Sequence, residues 1–291
     1  MAPIRAYMRS HPLLVAVLAL VAGLAGIWFV PSDATLAGMV PVRVGLSVVM
    51  FAVLGIVAGR GAIELSSEGM AFAFRKSAYL LVLALAAGAL AVATALASGS
   101  PLVPNWPWQL ASAFVLCFFV GMFEEGLFRG VVLGALLARM GRTRAGVLGA
   151  AVVSSLLFGV VHVMPFVIGG QVGDALGLAQ AVLKTLQTGI VGLLMAAVFV
   201  KTRNIWTVVL VHGLNDLFAM AAEALFAGTV STQYVSADPT AGLASVVVYL
   251  VFLVLYVPVL VSAVRMLRRV EVPCRGPFAD DRLQEPERRA A

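Results

Sequence analysis

Apolar runs long enough to cross a lipid bilayer recur along the whole chain, and they leave few folds open. An α-helix crosses the hydrocarbon in about 20 residues and satisfies its own backbone polar groups there. Runs of this kind lie at 13–30, 40–58, 77–97, 108–138, 145–165, 176–200, 205–225 and 242–264. The fourth is long because two apolar halves flank the polar cluster Glu124, Glu125 and Arg129. Strict alternation of apolar and polar residues is absent, which argues against a β-barrel. The chain is 62% hydrophobic and 12% charged, whereas a soluble domain is about 45–50% apolar and about 25% charged. Of its 34 Asp, Glu, Lys and Arg, 11 fall within residues 266–291, so the body has too few charges for a soluble shell. The expected fold is all-α, a multi-pass transmembrane bundle of about eight helices.

The first run follows Arg5, Arg9 and His11, as the apolar core of a signal peptide would. Its length exceeds the usual 7–15 residues or so and no A-x-A site follows, so an uncleaved first helix is expected. Basic residues collect on the cytoplasmic side of membrane proteins. With the N-terminus inside, the inner segments carry Arg5, Arg9, Arg60, Arg75, Lys76, Arg139, Arg142, Arg144, Lys201, Arg203, Arg265, Arg268 and Arg269. The outer segments then carry only Arg43, and the uncharged loop 98–108 places Trp106 and Trp108 as an interfacial belt. Both termini are therefore expected in the cytoplasm. Residues 1–265 are expected to form the membrane domain, with its motif core at 108–225. The polar, Pro-containing stretch 266–291 reads as a disordered cytosolic tail.

Other classes fall away. Cys117 and Cys274 offer neither a disulfide framework nor a CxxC metal signature. The net charge of +6 is accounted for by topology, and no basic-aromatic interleaving suggests nucleic acid. No internal repeat is strong enough to argue an inverted-repeat transporter.

Ionisable groups inside a span cost roughly 2.5–3.5 kcal/mol each for Asp, Lys or Arg, so they need a reason. Glu125 and Arg129 are four apart with acid preceding base, in register to pair along a helix. Glu124 points about 100° away from Glu125 and has no local partner. It suits a general acid or base. His162 stands in the fifth span, four residues after Phe158, and His212 shares a helix face with Asp216 in the seventh. Depths measured along each helix at ~1.5 Å per residue differ by about 13 Å among Glu124, His162 and His212. Five costly groups on three helices need one another as partners, and a functional polar centre is expected. Lys184, Glu223 and Arg43 fall near expected outer ends, where they can snorkel to the interface.

The order Glu124-Glu125-x-x-x-Arg129, Phe158-x-x-x-His162, His212-x-x-x-Asp216 resembles the three-motif signature of the CPBP family. These are CAAX-protease and bacteriocin-processing (Abi-type) intramembrane glutamic endopeptidases. The resemblance covers residues 121–216 and extends to an eight-helix layout. It implies that Glu124 and His162 hold and deprotonate a water. His212, with Asp216 or Asn215, would stabilise the oxyanion, and Glu125 and Arg129 would keep the site's geometry and charge balance. The third motif ends in Asn or Asp in this family, so Asp216 and Asn215 both remain candidates.

It implies no cofactor and no metal, a membrane-embedded or lipid-modified peptide substrate, and a location in the cell membrane. Its substrate classes are prenylated CAAX proteins and leader or bacteriocin-type peptides. Richness in Ala, Gly, Val and Arg suggests a GC-rich bacterial genome. Three rival readings remain. Glu with two His is a known catalytic zinc set, although HExxH is absent here. A proton-coupled transporter uses buried Glu and His as a relay. A catalytically silent scaffold would keep the fold and bind a membrane partner.

Overall fold

The computed structural model describes residues 2–29, 35–276 and 278, and the regular structure among them is helical. A short α1 (Ala2–Ser10) precedes α2 (Pro12–Phe29), α3 (Leu36–Ala58), α4 (Met70–Ala97) and α5 (Trp106–Glu125). A π-helical segment (Gly126–Leu133) joins α5 to α6 (Gly134–Met140). Then come α7 (Arg144–Ile168), α8 (Ala175–Thr202), α9 (Ile205–Phe226), α10 (Pro239–Leu255) and α11 (Val257–Arg268). Among the described residues, seven helical stretches are long and apolar enough to cross a membrane, with α5, the π segment and α6 counting as one of 35 residues. An eighth span results if α10 and α11, bent by 46°, are taken together. The protein is a multi-pass membrane protein.

The bend has a chemical cause. Pro258 opens α11 without an N–H to donate back to Val254, so the helix breaks at Tyr256 and restarts. Elsewhere the starts are capped by polar side chains. Thr143 Oγ1 accepts from the Gly146 N–H and Asp174 Oδ1 from Gly177, while Asn204 Oδ1 serves Trp206 and Asp238 Oδ1 serves Ala241. Several loop residues are thereby explained as helix N-caps.

The centre of the bundle is the second half of α8, where Leu194 to Val200 are all buried against α3, α4, α7, α9 and α11. By contrast Val82 and Leu90 on α4 and Val254 on α10 are exposed, as lipid-facing side chains are. α9 lies between α4 and α5. A Cβ at Gly121 would stand 2.9 Å from the Val209 carbonyl oxygen, and one at Gly213 would stand 3.1 Å from the Cys117 carbonyl oxygen. Only the absence of side chains lets α5 and α9 approach this closely, as small residues do in membrane bundles.

The structure departs from the expected tail boundary. Helix α11 runs on to Arg268, and Met266, Leu267, Val270, Cys274 and Phe278 are buried. The Cys274 N–H donates to the Gly141 carbonyl, and the Lys201 ammonium donates to the Arg269 carbonyl. Polar composition masked an apolar residue every few positions, enough to tie this stretch to the bundle. Positions 277 and 279–291 of the expected tail lie outside the described residues.

Candidate active site

The site begins where α5 changes register. Glu124 and Glu125 close its last turn, and the wider π turn that follows re-aims every residue after them. Glu125 is fully buried. Its Oε2 lies 3.1 Å from Arg129 Nε, and its Oε1 lies 2.6 Å from Nδ1 of His212. Arg129, 1% exposed, donates from Nη2 to the Gly192 carbonyl of α8 and stands 4.5 Å over the Phe158 ring. Gly192 allows that contact, because a Cβ there would come within 3.1 Å of Phe158 and 3.3 Å of Arg129 Nη2.

Phe158 organises the next layer. Its ring meets the edges of His162 at 4.6 Å and His212 at 5.9 Å. Its carbonyl accepts from Nδ1–H of His162 at 2.7 Å, which leaves Nε2 of a neutral ring as the acceptor. That Nε2 lies 3.8 Å from Glu124 Oε2, and Nε2 of His212 lies 3.6 Å from the same oxygen. Glu124 Oε2 is buried and has no hydrogen-bond partner, so a carboxylate oxygen sits open between two imidazoles.

His212 faces carboxylate oxygens at both nitrogens: Glu125 at Nδ1, and Asp216 Oδ2 at 3.3 Å from Nε2. Each of these contacts needs one proton, carried by the ring nitrogen or by the carboxyl group that faces it. Asn215 Nδ2 donates to Asp216 Oδ1 at 3.3 Å, and Asn215 Oδ1 is buried without a partner. Among the described residues, no set of three His, Cys, Asp or Glu is disposed to hold a metal ion.

A cavity of about 790 Å³ opens beside these groups. Glu124, His162, His212, Asn215 and Asp216 line it, while Glu125 and Arg129 stand behind the wall. All seven residues singled out from the sequence therefore meet at one place. The offset between depths measured along single helices does not keep the groups apart: His162 and His212 both lie within 3.8 Å of Glu124, and Gly159 of α7 packs against the Thr185 carbonyl of α8.

Three further charges belong to the same cavity, contrary to their expected role as snorkelling end residues. Arg43, Lys184 and Glu223 all line it. Lys184 lies more than two turns inside α8, on a face shared with Gln187, Thr188 and Val191, and this i, i+3, i+4, i+7 spacing was the overlooked signal. Its ammonium stands 4.2 Å over the ring of Tyr234 and 5.7 Å over that of Tyr249. Tyr234 comes from the segment between α9 and α10, which no motif marks. Burial, with Asp216 and Glu124 nearby, raises the Tyr234 phenol well above the usual tyrosine range, so it keeps its proton.

Residues 106–218 match the family model described as Type II CAAX prenyl endopeptidase Rce1-like. The matched stretch runs from the start of α5 into α9 and holds all three motifs, in agreement with the resemblance they carry. Comparison with curated proteins and with solved structures gave no match.

Proposed function

We propose that the protein is an intramembrane endopeptidase of the CAAX-protease type, acting through a water activated by Glu124 and His162. One observation carries this reading: the unpartnered Glu124 Oε2 lies 3.6 and 3.8 Å from two imidazole nitrogens, on the wall of a cavity within the helical bundle. A water at a normal hydrogen-bond distance of about 2.8 Å from both Glu124 Oε2 and His162 Nε2 completes a triangle with that 3.8 Å edge.

Glu124 takes one proton from the water, and the hydroxide oxygen adds to the scissile carbonyl. The second water proton stays in the hydrogen bond to His162 Nε2. Negative charge develops on the carbonyl oxygen, where an N–H of His212 stabilises it. Glu125 fixes the His212 ring from Nδ1, Asp216 orients it from the other side, and Asn215 holds Asp216. Arg129 balances the Glu125 charge. The C–N bond then breaks, the amine leaves with the proton returned from Glu124, and the second water proton passes by way of His162 to the amine, so that a carboxylate and an ammonium are the products. Donors and acceptor stand preset in a site away from bulk water, where such interactions are strongest.

The substrate class that fits is a membrane-associated peptide, prenylated at a CAAX terminus or otherwise lipid-modified, or a leader-type peptide. Both termini lie in the cytoplasm of a bacterial cell on this reading. Wild type and Glu124→Gln in liposomes, given prenylated CAAX peptides and a membrane-peptide library, test the reading by mass spectrometry of new termini. Cleavage lost in the variant and indifferent to chelator is the expected result. Equal cleavage by both proteins overturns the role of Glu124. Chelator-sensitive cleavage transfers the chemistry to a metal.

A further inference from the structure

The segment between α9 and α10 is tied down more firmly than a connection requires. Gln180, fully buried on α8, holds Ser236 at both backbone groups. Its Nε2 donates to the Ser236 carbonyl at 3.1 Å, and its Oε1 accepts the Ser236 N–H at 2.9 Å. A buried amide is costly unless both of its ends are bonded, and here both are. The Tyr249 hydroxyl of α10 donates to the Tyr234 carbonyl at 2.8 Å, and the Glu223 carboxylate of α9 accepts the Ser231 N–H. Between the Gln180 and Tyr249 ties, Val235 is fully buried in a small cluster with Val163 and Phe166 of α7 and Ala181 of α8. Side chains of three helices thus fix residues 230–236, which have no regular structure of their own.

What these ties present to the site is the Tyr234 ring. Its centroid stands 6.0 Å from that of His162 and 6.0 Å from that of Phe166, with the Lys184 ammonium 4.2 Å over it. The closer restraints on His162 come from a single residue one turn back, the Phe158 carbonyl at Nδ1 and the Phe158 ring at 4.6 Å. Glu124 Oε2, 3.8 Å from Nε2, is beyond hydrogen-bond range and does not itself hold the ring. Tyr234 supplies an aromatic neighbour from outside α7, on backbone that cannot drift.

We infer that the α9–α10 segment is a brace for the water-activating pair, and that Tyr234 is the positioning residue through which it keeps Nε2 of His162 turned toward Glu124. The inference rests on the proposed peptidase reading and adds a residue to its machinery. A water shared by Glu124 and His162 tolerates little change in their separation, and a displacement of about 1 Å in such a site costs on the order of 100-fold in rate.

The test compares Tyr234→Leu with Tyr234→Phe, in liposomes with a prenylated CAAX peptide. Tyr234→Leu is expected to lower kcat by up to about 100-fold with little change in KM, and Tyr234→Phe, which keeps the ring, to recover most of that loss. The direct readout is nitrogen NMR of isotope-labelled histidine in nanodiscs. The chain has three histidines, and His162→Gln identifies the signal of interest. Wild type and Tyr234→Phe should show His162 as a single tautomer with the proton on Nδ1, and Tyr234→Leu should show it averaged. If Tyr234→Leu does not fold, Tyr249→Phe decides, since it frees the Tyr234 carbonyl and keeps its own ring; the same changes are expected at smaller size.

A merely structural role would lower the melting temperature and leave the His162 signal as in wild type, which overturns the inference. So does a Tyr234→Phe variant as impaired as Tyr234→Leu, because the hydroxyl would then be the acting group. An His162 signal that follows Tyr234 as expected, without cleavage by wild type, sinks the peptidase reading and leaves the brace standing. Cleavage by wild type with an unchanged His162 signal in Tyr234→Leu sinks the brace alone.

Discussion

The two ends of the cavity handle charge in opposite ways. At the motif end, Glu125 is fully buried, yet its carboxylate lies 3.1 Å from Arg129 and 2.6 Å from His212. At the far end, Nη1 of Arg43 is buried without a hydrogen bond, and the Lys184 ammonium rests over the rings of Tyr234 and Tyr249. The first arrangement is self-contained and can be built only once, because each partner fixes the next. Buried charge is thus held in two ways here: by close acid–base pairs at one end, and by aromatic faces at the other.

Several measurements would break or sharpen that contrast. The largest effect is expected from Glu124→Gln, which should lower kcat by at least about 10²–10⁴-fold without moving the melting temperature, because Oε2 holds no structural partner. Next comes Arg129→Met, which strands Glu125 beside His212 and should cost about 3–5 kcal/mol, read by denaturation in lipid nanodiscs. If Arg129→Met melts at the wild-type temperature, the motif end is not self-supporting. Gly192→Ala should be milder, about 1–3 kcal/mol, since its Cβ presses on Phe158 and Arg129 Nη2 together. Activity should fall alongside stability in that variant.

Lys184→Met marks the opposite pole. It removes a buried cation whose ammonium rests on aromatic rings, so its melting temperature should equal or exceed that of wild type. A clear drop in melting temperature would show that the Lys184 contacts with Tyr234 and Tyr249 hold the fold. Smallest is Tyr234→Phe, which keeps the ring under the Lys184 ammonium and removes only the hydroxyl. Its effect on cleavage should be no more than about 10-fold in kcat/KM, with the melting temperature unchanged.

Much of the architecture was legible along the chain. The apolar runs at 145–165, 176–200 and 205–225 reappear as α7, α8 and α9 with ends within a few residues, because length and hydropathy are local properties. The three motifs were legible too, since an acid, a base or an imidazole inside a span stands out against its surroundings. Other features were not. The π segment after Glu125 has no sequence mark beyond Gly126 and Gly130, against which Phe51 and Leu54 of α3 pack. Tyr234 lies in an ordinary polar connection. The packed stretch from Met266 to Phe278 reads as tail because its buried residues are sparse.

What the sequence determined by itself is that this chain spans a membrane as helices and carries ionisable groups at intramembrane positions. Solvent transfer energies act on each segment separately, so no partner need be known. Which charges meet was decided by the tertiary structure. Helix periodicity assigns a residue to a face, but the neighbour on that face depends on how far each helix slides along the next. The packing of α7 against the bundle sets His162 3.8 Å from Glu124, and the placement of α3 and α8 makes Arg43 and Lys184 walls of the cavity.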